Sequence, residues 1–334
     1  MSAHGLWTLA WRRLRADRVG MAALAVVLAF LSMTALSAGG LIAADWEAEV
    51  GVPYAPPGFV GAGAWARPEA PGAAAAGLPD NPFDPLADDL RALRAQLAAQ
   101  RATAAERLPT LPFGGDKWGH DVIRKTVKGG ETSIMVGLAA ALLAVGIGTL
   151  FGALSGYCGG VVDDGFNWFY SVFTAIPSVL MILAVAAVLQ QKGVTTIVLI
   201  LGLTGWTGPY RLIRAEYLRH RAREYVLAAD AIGASHWRRM FGHIFPNVSH
   251  VALVQLSILV VGFIKAEVIL SFLGFGVPVG AVSWGSMLNE AQGELILGRW
   301  WQLAAAATAM ASLVTAFSLF TDALRDALDP KVKT

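Results

Sequence analysis

The sequence holds one cysteine in 334 residues, and charged residues fill only 15% of its positions against 55% that are hydrophobic. Cys158 has no partner for an internal disulfide and no Cys or His neighbours at zinc-site spacing, which leaves it the role of a small apolar filler. So little charge, with a mean hydropathy of +0.54, excludes an ordinary water-soluble domain. The formal net charge of +2 is too small to argue for a nucleic-acid partner. No G-x-x-x-x-G-K-[ST] phosphate loop occurs, so the chain cannot cradle nucleotide in the Walker manner. Neither H-E-x-x-H nor G-x-S-x-G occurs, and the inverted repeats with discontinuous helices that mark many secondary transporters are also missing.

Long apolar runs are what the sequence has instead. A bilayer core of about 30 Å takes about 20 apolar residues in a helix. Val19–Ala43 meets that length and is too long for the apolar part of a cleavable signal, which makes it a retained first span. Glu131–Tyr157, Trp168–Gln190, Val194–Tyr210, Ser249–Phe275 and Trp300–Phe320 follow at or near that length. The expected fold class is all-α, a polytopic membrane protein with six transmembrane helices.

Arg12, Arg13, Arg15 and Arg18, the seven arginines between Arg211 and Arg239, and Arg325, Lys331 and Lys333 fall on one side of such a bundle. The positive-inside rule makes that side cytoplasmic and places both termini there. The nine Lys and Arg of Asp45–Gly130 lie on the other side, in a loop long enough to be exempt. The expected organisation is a cytoplasmic segment 1–18, a first transmembrane helix 19–43, a long periplasmic loop 44–130, a five-helix core 131–322 and a cytoplasmic tail 323–334. Within the loop, Val52–Pro82 is rich in Pro, Gly and Ala and predicts an irregular path. Asp84-Pro85 then opens an amphipathic helix over 85–108, with Leu86, Leu90, Leu93 and Leu97 on one stripe.

A polar island interrupts the core at 211–247. Tyr225, Ala228, Ala229 and Ile232 fall at i, i+3, i+4 and i+7 and predict one face of a short helix beginning near Glu224. Gly233 is a natural helix stop, and Ser235 can cap a second helix running towards Pro246 and Asn247. The run from Glu224 to Asn247, EYVLAADAIGASHWRRMFGHIFPN, resembles the cytoplasmic EAA loop of the ABC-importer permeases in the dipeptide/oligopeptide/nickel group. Phe113–Val122 resembles that group's GTDxxGRDV segment, and Gly130–Ile134 its GxxxSL helix start. Glu267–Gly276 is similar to its ExxLSFLGLG segment, and Asp322–Pro330 to its DxLRDxLDP ending. Leu227 stands directly before the paired alanines, with Glu224 three residues earlier, as is usual in the peptide group. The first loop is longer than in a typical member.

The resemblance implies an ABC importer type I permease fold in the cell inner membrane and a permease subunit for peptides, with nickel or another small solute as the alternative cargo. It implies no enzyme activity and no cofactor in this chain. It also implies four partners besides the lipid bilayer: a second homologous permease forming a heterodimer, two cytoplasmic ATPase subunits and an extracytoplasmic solute-binding protein. Glu224, Tyr225, Ala228, Ala229, Gly233, Ala234, Pro246 and Asn247 would form the ATPase-coupling loop, with Gly233 setting its turn.

Lys265 and Glu267 interrupt the fifth apolar run and project about 200° apart on a helix, so they cannot simply pair. Glu267 is expected in the bundle interior or pathway. For Lys265, snorkelling to the headgroups and lining the pathway both stand. Pro177 and Pro209 are expected to kink their helices, Pro177 near the pathway. Gly137, Gly146, Gly148, Gly152 and Gly156 are expected to let another helix approach closely. His236, His243 and His250 have no acidic partner at metal spacing.

Overall fold

A computed structural model describes residues 6–61, 89, 93, 107–278 and 280–328. They divide into two compact units, Met1–Ala44 with Thr126–Thr334, and Asp45–Lys125. Among the described residues there is no strand, only isolated bridges within the smaller unit. The helix expected over 85–108 falls almost wholly outside the described residues, although Asp89 and Leu93 are helical.

In the larger unit α1 (Leu6–Ala16) leads into α2 (Arg18–Ala38), which starts where the Asp17 side chain accepts from Val19 N at 2.9 Å. α2 ends five residues before the expected boundary because Gly39 and Gly40, the latter at φ +71°, stop it. α3 (Val122–Cys158) begins nine residues earlier than expected, capped by Asp121, whose Oδ1 accepts from Ile123 N at 2.8 Å. Charged residues at 124, 125 and 128 hide its first turns from a hydropathy reading without breaking a helix.

α4 (Gly160–Thr174) and α5 (Ser178–Leu189) meet at 84°, so the expected kink at Pro177 is a full break. Pro177 disfavours the helical conformation for the residue before it and starts the next helix itself. The fourth run is two helices, α6 (Val194–Thr204) and α7 (Thr207–Arg221). Pro209 therefore does not kink a span. It lies in the first turn of α7, where its missing N–H costs nothing.

α8 (Glu224–Ala231) and a π-helical segment (Arg238–Ile244) precede α9 (Phe245–Phe272). α10 (Trp284–Ile296) was not expected. It opens on a capping box in which the Ser283 and Ser286 side chains bond each other's backbone N–H. α11 (Trp301–Leu328) ends the described chain. Among the described residues four helical stretches, α2, α3, Arg238–Phe272 and α11, are long and apolar enough to cross a membrane, and α4 with α5 makes a fifth if read as one broken span.

α3 and α7 pack almost backbone to backbone. A Cβ on Gly148, Gly152 or Gly156 would lie within 2.6–2.8 Å of a carbonyl oxygen of Trp206, Tyr210 or Arg214 respectively, and one on Gly137 would meet Ile264 Cγ1 at 2.5 Å. Gly146 departs from the expected stripe, since nothing lies within 4 Å of its Cβ position. Gly152→Leu is expected to destabilise the bundle by about 1–3 kcal/mol, because the obstacle is backbone and cannot give way. A lowered unfolding midpoint of the purified chain in detergent, with Gly146→Leu near wild type, checks this.

The smaller unit is organised around Asp116, in the segment that resembles GTDxxGRDV. Its Oδ1 accepts from Trp118 N at 2.8 Å and His120 N at 3.0 Å, and its Oδ2 lies 2.7 Å from Lys125 Nζ and 2.9 Å from His120 Nδ1. Burial works to raise this carboxyl, but the Lys125 charge and hydrogen bond, with those of His120, outweigh it and hold it below the ordinary 3.8. A depressed folded value gives stability that is present above pH 3.8 and lost as pH falls further. Asp116→Ala removes a buried carboxylate that Lys125, His120 and two backbone N–H groups share, and is expected to cost about 3–5 kcal/mol. Hydrogen-exchange protection over 107–121, relative to the intrinsic rate at each pH, should fall in this variant at neutral pH and in the wild type only in acid.

Candidate functional site

α8 is a short helix with two faces. Val226 and Ala229 turn inward, 3% and 4% exposed, while Glu224, Tyr225, Leu227, Ala228 and Ile232 turn outward, Ile232 at 84%. Val226 enters a core built with Ala153 and Tyr157 of α3, Ile213 and Tyr217 of α7, Met240 and Ile244 of the π-helical segment and Val248 of α9. Eight residues could not hold a helix in water alone, so this core holds it. The outward stripe expected from the sequence is corrected at Ala229. The 226/229 pair sits at i, i+3 and faces the core, which carries Ala229 inside and leaves Tyr225, Ala228 and Ile232 outside.

The C-terminus of α8 closes as a Schellman motif. Ala234 N donates to Ala229 O at 3.0 Å, Gly233 N donates to Asp230 O at 2.8 Å, and Gly233 has φ +81°. Ser235 Oγ then accepts from Arg238 N at 3.4 Å, at the start of the second helical segment that the sequence predicts there. That segment takes the wider π form over Arg238–Ile244. Tyr217 Oη donates to Met240 O at 3.1 Å within it.

Tyr225 is tied back to the body. Its hydroxyl lies 2.8 Å from His220 Nδ1 of α7 and is hydrogen-bonded to the Asn247 side chain of α9, and burial pushes its phenol above 10.0. Asn247 Nδ2 also donates to His243 O at 2.8 Å, and Pro246 occupies the first turn of α9. Arg239 pairs with Asp230 across the turn. Glu224, Tyr225 and Ala228 thus lie on α8, Gly233 and Ala234 in the turn that follows it, and Pro246 and Asn247 at the start of α9, with the Tyr225–Asn247 hydrogen bond linking the two helices.

The intramembrane residues do not converge on one site. Glu267 is fully buried on α9: Ser133 Oγ of α3 donates to its Oε2 at 2.7 Å and Ser271 Oγ to its Oε1 at 2.6 Å. Trp284 N, in the first turn of α10, donates to Ser133 Oγ at 3.2 Å, and Ser283 Oγ lies 3.4 Å from Ser271 Oγ. Glu267 therefore joins three helices in the bundle interior. Lys265 lies exposed on the other side of α9, and Pro177 sits at the α4–α5 break. Among the described residues no hydrogen bond or ion pair joins these three. The serine partners escaped the sequence reading, although Ser271 at i+4 from Glu267 was a visible signal. Among the described residues no group of three or more His, Cys, Asp or Glu converges as metal ligands.

Residues 148–334 match the family described as the binding-protein-dependent transport system inner membrane component. The chain belongs to that family. Residues 5–57 also match the N-terminal TM domain of oligopeptide transport permease C. The permease is 36% identical over 221 residues to the dipeptide transport system permease protein DppC of Bacillus subtilis, covering 66% of this chain and 69% of the relative. It is 37% identical over 221 residues to the oligopeptide transport system permease protein OppC of the same organism, covering 66% and 72%. To OppC of Haemophilus influenzae it is 34% identical over 219 residues, covering 66% and 70%. The fold is that of the ABC importer permeases, a multi-pass subunit of the inner membrane that works with ATPase and solute-binding partners.

Proposed function

We propose that this permease imports di- or oligopeptides, releasing them from an external solute-binding protein into a path between itself and a second, related permease. Two cytoplasmic ATPases drive the cycle, and the chain itself makes and breaks no covalent bond. The dipeptide and oligopeptide names of its relatives support this cargo. In this reading both termini and the 211–247 loop are cytoplasmic, and α6 with α7 makes the crossing that brings the number of spans to six. Asp45–Gly130 faces the binding protein.

The observation that carries the mechanism is the fixed α8. Its inner face is locked into the core shared by α3, α7 and α9, Ala228 and Ile232 of its outer face are exposed, and its exit is set by a Schellman turn. A load applied to the outer face moves the helix as a lever and its attached spans with it, a rigid-body coupling. Tyr225, Ala228 and Ile232 are the ATPase contacts, and Gly233 with Ala234 is the turn that transmits the motion.

Cross-linking tests the face. With Cys158 replaced by serine, a cysteine at Ile232 or Ala228 should cross-link to the ATPase, and one at Ala229 should not. Equal cross-linking from Ala229 would contradict the assignment. Glu267 serves as a lock in the bundle interior, and exposed Lys265 on α9 faces the headgroups or the second permease.

A further inference from the structure

A cavity of about 670 Å³ lies where α3 ends, walled by α7, α8 and the π-helical segment. Its size is that of a small-molecule site. Leu154, Val226 and Met240 supply apolar wall, Arg221, Arg239 and His236 line the cavity too, and the Arg239 guanidinium and the His236 ring lie 5.9 and 5.8 Å from the Tyr157 ring. Arg221 Nη1 donates to Tyr157 O at 2.9 Å, and Arg239 Nη2 donates to His236 Nδ1 at 2.9 Å. Arg239 Nη1 pairs with Asp230, the only carboxylate among the described lining residues, so the two guanidiniums leave a positive excess. Arg239 Nε is buried and has no hydrogen-bond partner among the described residues. A guanidinium N–H without an acceptor costs free energy, and a shift of the Arg239 side chain towards an oxyanion in the cavity would supply one.

Position narrows the anion. α3 and the stretch Arg238–Phe272 are both long and apolar enough to cross a membrane, and the cavity lies at the end of one and the start of the other. Both stretches, at 37 and 35 residues, exceed the roughly 20 that a bilayer core needs, so their ends reach the headgroup zone or beyond it, and exposed Trp237 in the lining suits that interface. We propose that this cavity binds the phosphate of an anionic phospholipid headgroup, held by Arg221 and Arg239, with the apolar wall taking the adjoining part of the lipid. Val226, Leu227 and Asp230 of α8 line the cavity, so the lipid would lie along the flank of the coupling helix.

The inference rests on the proposed role of α8, but its test does not depend on transport or on the orientation of the chain. The whole transporter is placed in nanodiscs, which expose both membrane faces, of phosphatidylglycerol or of phosphatidylcholine. The modification of this chain's single cysteine, Cys158 in the cavity lining, by uncharged N-ethylmaleimide is timed, and lipid retained on the complex in detergent is counted by native mass spectrometry. Phosphatidylglycerol is expected to slow Cys158 and to be retained. Arg239→Gln should cut retention by about fivefold, the worth of one basic residue at an anionic surface. Arg238→Gln, an equal loss of charge outside the lining, should leave both readouts unchanged and so separates the cavity from general surface charge. Equal retention of the two lipids overturns the proposal, as does an equal effect of the two arginine variants. Protection by inorganic phosphate in phosphatidylcholine discs overturns it too, because it assigns the cavity to a soluble anion. If Cys158 reacts in neither lipid, the retained-lipid count decides alone.

Discussion

Gly233→Val is expected to leave the permease inserted and folded while lowering ATP-driven import by at least about tenfold. Open space surrounds the Gly233 Cβ position, so the effect is conformational and not a clash. At φ +81° a branched side chain is strained by about 1–3 kcal/mol. A cost near 2 kcal/mol shifts a two-state equilibrium by about thirtyfold, enough to open the turn that fixes the exit of α8. Asn tolerates the left-handed region better than other non-glycine residues, so Gly233→Asn should recover much of the import. ATPase stimulation by loaded binding protein should fall with import in the valine variant and return in the asparagine one. Normal import by Gly233→Val would show that the turn transmits nothing.

Removing Glu267 should be among the costliest single changes to the fold. Glu267→Ala deletes both acceptors of the Ser133 and Ser271 hydroxyls and leaves a cavity where α3, α9 and the start of α10 meet. Cavity and orphaned hydroxyls together predict a loss of about 3–5 kcal/mol. The detergent unfolding midpoint should drop by roughly 6–12 °C for the lower figure. Ser133→Ala removes one donor and should cost about 1 kcal/mol. Glu267→Gln keeps a carbonyl acceptor and should fall between the two. A Glu267→Ala chain as stable as wild type, yet unable to transport, would move Glu267 from lock to pathway.

Much of this was legible in the chain. The 3.6-residue period at 225, 228, 229 and 232 identified α8, and Gly233 supplied its stop because few residues other than glycine take a positive φ cheaply. The direction of the helix face was not legible at Ala229, since an alanine suits either side and only the Val226 contacts decide. Hydropathy found the long spans, yet it joined α4 to α5 and α6 to α7. Apolar composition does not register a break that Pro177 or Gly205–Trp206 imposes on the backbone. α10 hid in a loop because its buried face, with Trp284, Met287 and Ala291, is too short for a span and too polar on its other side. The π-helical segment depends on packing against α7 and α9, and no local pattern announces it.

ATP-driven uptake tests the central claim most directly. The permease is reconstituted in proteoliposomes with its second permease, ATPases and solute-binding protein, and labelled peptide is offered on the binding-protein side. The account predicts accumulation that requires ATP on the opposite side, persists when ionophores collapse proton and sodium gradients, and fails with Gly233→Val. Uptake that follows an ion gradient without ATP would contradict it.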